Sequence, residues 1–295
     1  MKPEDIQIIT GENPSQSAFF ELNDKTIDYE TSKNLSYNDI LSLSKGLEVA
    51  SEFYDVLCAV TVTPTGVCAV SLGKDLTEAV TNVMDSNPID FMSSTIVLSN
   101  EVDSDLAKML KNTHIVCAPK FTKNAIEYLE AHDVSYVNII TPLKDYKKYL
   151  SNDLRITPLG TITQAPNLSE LDKETFKVVS KTKPTVEQIE DAVFAWKVAK
   201  HVSSRAIVIA KDLKTTAIAQ GLQSASVEYA IDYSCDRSKE AILACDMGIT
   251  VHDLNVSIQG RISLVIVPFA SKEIIDTADK YNVAVVTTGF TNILY

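Results

Sequence analysis

One helix and the strand behind it constrain this chain more than any other stretch. From Lys183 the sequence reads Lys-Pro-Thr, then runs through Phe194-Ala195-Trp196-Lys197-Val198-Ala199-Lys200-His201-Val202 into Ala206-Ile207-Val208-Ile209-Ala210. Thr185 and Gln188 have capping-box spacing, so each side chain can satisfy a backbone N–H of the other. Pro184 disfavours helix in the residue before it and separates the helix from the preceding segment. Ile189, Val193, Trp196, Ala199 and Val202 recur at steps of three or four, which predicts one buried stripe. The β-branched run after Arg205 reads as a buried strand.

The same order of elements occurs twice. In the first half a helix over Tyr37–Phe53 precedes two β-rich runs, Val56–Val62 and Val67–Leu72, joined by Pro64-Thr65-Gly66. Helices over Asp75–Asp85, Asp103–Lys111 and Thr122–His132 then alternate with strands over Thr95–Ser99, His114–Ala118 and Ser135–Ile140. In the second half the helix over Thr185–His201 precedes runs at Ala206–Ala210 and Thr215–Ala219. Helices over Leu222–Tyr233, near Asp253 and over Ser271–Tyr281 alternate there with strands over Ala241–Ala244, Ser263–Val267 and Val283–Thr287. The shared order, α-β-β-α-β-α-β-α-β, predicts a duplicated α/β chain. Alternating strands and helices imply right-handed crossovers and parallel pairing, and the hairpin makes each sheet mixed. The expected division is 1–145, a linker over 146–174 with the weakest structural signal, and 175–295. Gly11-Glu12-Asn13-Pro14 marks a turn in the lead-in to the first half.

The net charge of −12 argues against a general nucleic-acid or anionic-membrane surface, because phosphate backbones require Lys and Arg. It leaves room for a local cationic pocket around one small phosphate. The five cysteines are odd in number and lack C-x-x-C spacing, and Cys58, Cys117 and Cys245 lie in apolar runs. They read as core residues of a reducing compartment. Glu4 and Asp5 precede any apolar run, and no apolar run approaches the roughly 20 residues of a membrane span. A cytoplasmic location is therefore expected, with no membrane partner.

The Phe194–Val202 run resembles the transformylase part of the bifunctional purine-biosynthesis enzyme. That enzyme formylates aminoimidazole carboxamide ribotide (AICAR) and closes the purine ring. Collinear segments agree: Gly11-Glu12-Asn13-Pro14-Ser15-Gln16, Leu35-Ser36-Tyr37-Asn38, Asn87-Pro88 through Glu101-Val102-Asp103, Ala118-Pro119 with Phe121, and Thr288-Gly289. The resemblance implies a duplicated, cytidine-deaminase-like fold of mixed sheets with flanking helices. It also implies a homodimer with sites at the subunit interface. The ring-closing domain would precede Gly11, so cyclohydrolase activity is not expected.

Formyl transfer from 10-formyltetrahydrofolate to an aromatic amine needs a proton acceptor, an oxyanion donor, and cations or amides for the nucleotide phosphate. The resemblance places a Lys-His-Asn-Asn-Pro-Cys-Gly segment on the first hairpin for the first two tasks. Counted without gaps, its Lys falls on Thr63, its His on Pro64 and its Cys on Cys68. A shift of three puts Pro64-Thr65-Gly66 on Pro-Cys-Gly instead. Neither register supplies a Lys or His, since none lies between Lys45 and Lys74. Elsewhere the implied substrate-contacting Asn becomes Arg205, an Arg is lost beside Ser224, and of a further site segment only Asp246 is kept. Asn13, Arg205, Ser224 and Asp246 are thus the candidate substrate-binding residues.

Lys200 and His201 match the family and close a helix. They fit either a substitute catalytic pair or a cation favoured by the helix dipole. His114, His132, Trp196 and the Lys144, Lys147 and Lys148 face read as structural or solvated. No metal site is expected; His252 beside Asp246 and Asp253 is the one cluster with ligand-type side chains, and it too reads as structural. The zinc-deaminase signature, the P-loop and G-x-G-x-x-G are absent. Two functions follow as expectations. One is a divergent relative with impaired or lost formyl transfer, serving as a nucleotide-binding or regulatory subunit, alone as a homodimer or beside an active paralogue. The other is an active formyltransferase, with 10-formyltetrahydrofolate as cosubstrate, whose site is rebuilt on Lys200, His201 or Arg205.

Overall fold

The computed structural model describes residues 1–8, 10–171 and 175–294; the last residues of the expected linker, 172–174, and Tyr295 lie outside the described residues. The first half contains β1 (Tyr29–Thr31), α1 (Tyr37–Ser51), β2 (Cys58–Thr63), β3 (Gly66–Leu72), α2 (Leu76–Ser86), α3 (Pro88–Phe91), β4 (Thr95–Leu98), α4 (Ser104–Met109), β5 (Ile115–Ala118), α5 (Lys123–Ala131) and β6 (Ser135–Ile139). A 3-10 segment at Leu143–Tyr149 leads to a hairpin of β7 (Asp153–Thr157) and β8 (Gly160–Gln164), then to β9 (Lys177–Val178). The second half contains α6 (Val186–Ala199), β10 (Ile207–Lys211), β11 (Lys214–Ala219), α7 (Gln223–Ser234), β12 (Ile242–Cys245), α8 (Val251–Gln259), β13 (Leu264–Val267), α9 (Lys272–Lys280) and β14 (Ala284–Thr287).

The two halves do not carry separate sheets. Twelve strands form one mixed sheet in the order β1-β6-β5-β4-β2-β3-β11-β10-β12-β13-β14-β9. Outward from the centre the two sides repeat: a hairpin, an antiparallel step to the fourth element, then parallel strands. They join where Lys214 of β11 faces Ser71 of β3, antiparallel. Each half ends at the outer strand of its hairpin, and such an edge presents unpaired N–H and C=O groups. Pairing β3 with β11 closes both edges at once. Thr215 stitches the seam, its Oγ1 accepting from Val70 N at 3.0 Å and donating to Val70 O at 3.2 Å.

The repeat extends to a defect. Both hairpins shift register at the same place, between Thr61 and Val62 of β2 and between Ile209 and Ala210 of β10. The extra residues are Cys68 in β3 and Thr216 in β11, the third residue of each strand. Such a bulge re-aims one side chain and increases local twist.

Helices flank both faces. On one face α1 and α6 share a single apolar core with strand residues from both halves, and Phe53 meets Phe194 at 5.4 Å between ring centroids. On the other face the cores stay separate, one under α2, α4 and α5, the other under α7, α8 and α9. The seam between those two cores is where a cavity can persist.

The stripe expected on α6 is too narrow. Trp196, Ala199 and Val202 are buried, but so are Asp191, Ala192, Phe194, Ala195 and Val198, while Ile189 and Val193 are only half-buried. The helix is enclosed by the sheet, by α1 and by the C-terminal segment, whose Phe290 meets Trp196 edge-on at 5.9 Å. Asp191 has a specific partner there. Its carboxylate accepts from Leu213 N at 2.7 Å and Asp212 N at 3.0 Å, the two left-handed residues of the β10–β11 turn. Asp191→Ala is expected to cost about 1–3 kcal/mol, because both turn amides lose their acceptor. Urea unfolding measures it, and a loss under about 0.5 kcal/mol would show that water replaces the carboxylate.

Candidate functional site

The β2–β3 turn lines a cavity of about 670 Å³ through Thr63, Thr65 and Gly66. The bulge in β3 turns Cys68 into its wall, and Thr63, Thr65 and Gly66 form the rim. Ser86, Asn87 and Asp90, from the α2–α3 junction, line one side. Ser226, Tyr229 and Tyr233 of α7 line the other, with Ala217, Ala219 and Gln220 from the end of β11 between them. The site therefore spans the seam between the halves.

Its chemistry is nearly neutral. Asp90 is the one charged residue among the described lining residues, which include no Lys, Arg or His. Burial pushes the Cys68 thiol up to about 11, so it stays protonated near neutral pH and is a poor nucleophile. Burial likewise raises the Tyr233 hydroxyl. Arg237 lies close behind the wall but is engaged. Its Nη1 donates to Asp85 O at 2.7 Å and Ser86 O at 3.3 Å, its Nη2 to Tyr233 O at 3.1 Å.

The residues singled out in the sequence fall into separate sets of contacts. Thr63 reaches the cavity; Ser224 lies in the first turn of α7, beside Ala225 and Ser226, which line it. Asp246 follows β12, fully buried. Its Oδ1 accepts from Ala206 N at 2.9 Å, and its Oδ2 accepts from the Ser204 hydroxyl. Burial raises its carboxyl, opposed by hydrogen bonds from Ser204 and Ala206 and, more weakly, by the charge of Arg205. Ser204 in turn pairs with Leu294, N to O at 2.8 Å and Leu294 N to Oγ at 3.1 Å. Asp246 thus fastens the entry to β10, and through it the C-terminal segment. Asn13 is exposed within its own turn, where Gln16 Oε1 accepts from its N at 3.0 Å and its Nδ2 at 2.8 Å.

Lys200 and His201 close on a group the sequence did not suggest. Glu52, one residue past α1, is buried, and its Oε1 lies 2.8 Å from Lys200 Nζ and 3.2 Å from His201 Nε2. Its Oε2 lies 3.2 Å from Lys147 Nζ, and its main-chain oxygen accepts from Lys197 Nζ at 2.9 Å. Lys200 also donates to Ser169 O at 2.8 Å. Lys147 is therefore not part of a solvated face; Lys144 and Lys148 are exposed, Lys148 pairing with Asp145.

The other histidines are also engaged. His114 Nε2 lies 2.9 Å from Asp39 Oδ1, and His132 Nδ1 lies 2.8 Å from Tyr128 O with its ring stacked on Tyr128. His252 does not meet Asp246 or Asp253. Its partner is Glu228, at 3.0 Å, while Asp253 caps α8 through Thr250. Among the described residues no group of three or more His, Cys, Asp or Glu could hold a metal.

Two features were not found from the sequence. Tyr229 and Tyr233 stand four apart on α7 and stack at 5.8 Å, a spacing visible in the sequence but equally that of an ordinary helix face. Glu52 had no signal, because its partner is 148 residues away.

Sequence comparison agrees with this architecture. A sequence model of the family described as AICARFT/IMPCHase bienzyme matches residues 4–232. The bifunctional purine biosynthesis protein PurH of Caldicellulosiruptor saccharolyticus is 34% identical over 298 positions, covering 95% of this chain and 57% of that protein. Its counterpart in Thermoanaerobacter sp. is 32% identical over 293 positions with the same coverage. That of Dictyostelium discoideum is 30% identical over 278 positions, covering 88% of this chain and 51% of that protein. The chain thus spans about half the length of these curated relatives. With a profile match across most of its residues and a mixed sheet flanked by helices, the chain belongs to the AICARFT/IMPCHase bienzyme family.

Proposed function

We propose that this chain keeps the transformylase fold of its family without the formyl transfer, and serves as a ligand-binding or regulatory subunit, as a homodimer or beside an active paralogue. One observation carries the reading: the cavity beside the Thr63-Pro64 turn has no basic or cationic lining group among the described residues. Removing a general base costs about 10²–10⁴ in rate. Removing an oxyanion donor costs about 10²–10³.

A site rebuilt on Lys200 or His201 is disfavoured by their position. Both are largely buried against Glu52, and moving either toward substrate would leave that carboxylate buried without its partners. Arg205 stands beside Asp246, outside the cavity lining. The five cysteines are all unpaired, which supports a reducing, cytoplasmic setting, and among the described residues no helix is long and apolar enough to cross a membrane.

The test is turnover of AICAR with 10-formyltetrahydrofolate by the purified chain. The expected rate is below about 1% of an active transformylase, a barrier higher by about 2.7 kcal/mol. A rate above that would overturn the reading.

A further inference from the structure

We infer that a second cavity, between α1, the segment ahead of β1 and the 3-10 segment, is a binding site for a small primary amine with an apolar body. Its volume of about 290 Å³ suits one ring with a short arm better than a nucleotide. It shares no lining residue with the seam cavity, so it stands apart from the question of formyl transfer. Phe20 and Ile27 close it from the segment ahead of β1, Leu43 and Leu47 from α1, Ile139 from β6, and Leu150 from just past the 3-10 segment. That wall accounts for the apolar body of the ligand.

One hydroxyl in the wall is left without a partner by the fold. Tyr29 faces Ile139 across the β1–β6 ladder, and both line the cavity. Tyr29 is 8% exposed, yet among the described residues its hydroxyl has no hydrogen-bond partner, and burial pushes that hydroxyl up to about 12. A buried polar group without a partner is rare and costly in a folded chain. A ligand seated in the cavity supplies the missing partner.

The other polar groups select a donor. Tyr146 is buried in the same wall and gives its proton to Ser44 O at 3.3 Å, so its oxygen is left to accept. Glu48 stands one turn beyond Ser44 on α1, and its charge adds to burial in raising the Tyr146 hydroxyl. The Glu48 carboxylate accepts no hydrogen bond among the described residues; its one ion-pair contact is His201, whose Nδ1 lies 3.7 Å from Oε2. An ammonium brings three N–H donors, and the oxygens of Glu48, Tyr146 and Tyr29 can accept them. An anionic ligand would instead meet Glu21 and Glu48, with the exposed Lys25 as the one cation among the described lining residues.

The test is calorimetry on the full chain with phenethylamine and phenylpropionate, which share a ring and arm and differ in charge. Salt of about 0.15 M screens the general attraction of an acidic protein for cations. The amine is expected to bind with a Kd of about 1 mM or tighter, in keeping with so few atoms, and at least about tenfold more tightly than the carboxylate. Glu48→Gln should weaken the amine about tenfold and remove most of that preference. Tyr29→Phe should weaken the amine at least about threefold while leaving the urea midpoint of the free protein unchanged or higher, because the lost hydroxyl had no partner. The Tyr29 variant decides the matter where Glu48→Gln fails to fold. No amine binding at about 10 mM overturns the proposal. So does equal or tighter binding of the carboxylate, or amine affinity unchanged in the folded variants.

Discussion

Replacing Glu52 with glutamine is expected to remove about 3–5 kcal/mol of folding stability. The side chains of Glu52 and Lys200 are each 6% exposed, so the substitution leaves a buried ammonium without its counter-charge. Lys147 and His201 lose the same anion. An exposed ion pair would contribute at most about 1 kcal/mol. The pair also joins the end of α1 to the end of α6, across 148 residues. Urea unfolding of the single variant and of Glu52→Met with Lys200→Met tests this. The double variant should recover much of the loss, since a neutral apolar pair needs no compensation. A single-variant loss under about 1 kcal/mol, or a double variant less stable than the single, would show that the cluster is effectively solvated.

The same cluster sets a pH response. Burial alone raises the Glu52 carboxyl, but the hydrogen bonds and charges of His201 and Lys200 outweigh it and hold it well below the usual carboxylate range. A depressed carboxyl stabilises the fold fully above its unfolded value of about 4.3, and that contribution is lost as pH falls toward the folded value. Below about pH 4 the unsubstituted protein should therefore lose stability with a steeper slope than Glu52→Gln. Parallel slopes would remove Glu52 from the account.

Trp196→Ala is expected to cost about 3–5 kcal/mol, and Trp196→Phe much less, about 1–2 kcal/mol. Trp196 is 1% exposed, within the core shared by α1, α6 and the sheet. Alanine leaves a void that this core cannot collapse into, because strands from both halves fix its walls. Phenylalanine keeps most of the volume. Among the described residues the indole Nε1 has no hydrogen-bond partner, so its loss breaks no bond. Equal costs for the two substitutions would mean that Trp196 contributes through Nε1 rather than through volume.

Element order was legible in the sequence wherever the signals were local. The Thr185–Gln188 capping box forms as its spacing implies, with Gln188 N donating to Thr185 Oγ1 at 3.2 Å and Thr185 N to Gln188 Oε1 at 2.9 Å. The Pro64-Thr65-Gly66 turn joins β2 to β3, and every main strand and helix appears within a few residues of its expected range. Short pieces were not legible. β1, with three residues, and β9, with two, are held only by neighbours far along the chain, Ile139 and Val286 among them. The hairpin of β7 and β8, inside the segment expected to be a linker, pairs only with itself.

The candidate site was legible in part. The absence of a Lys or His at the first hairpin is a statement about residue identity, and the structure leaves it as it stands. The disposition of Lys200, His201, Arg205 and Asp246 could not be read that way. Helix-end Lys and His look alike whether they face substrate or a buried carboxylate, and only the packing of α1 against α6 brings Glu52 to them. What the sequence determined by itself was the repeated order of elements and the absence of Lys, Arg and His from the hairpin of β2 and β3, because periodicity, caps and identity are local. The tertiary structure alone decided that the two halves share one sheet, that their seam lines the cavity, and that Lys200 and His201 pair with a buried Glu52. Those outcomes depend on edge strands and charges that meet only after distant segments have packed.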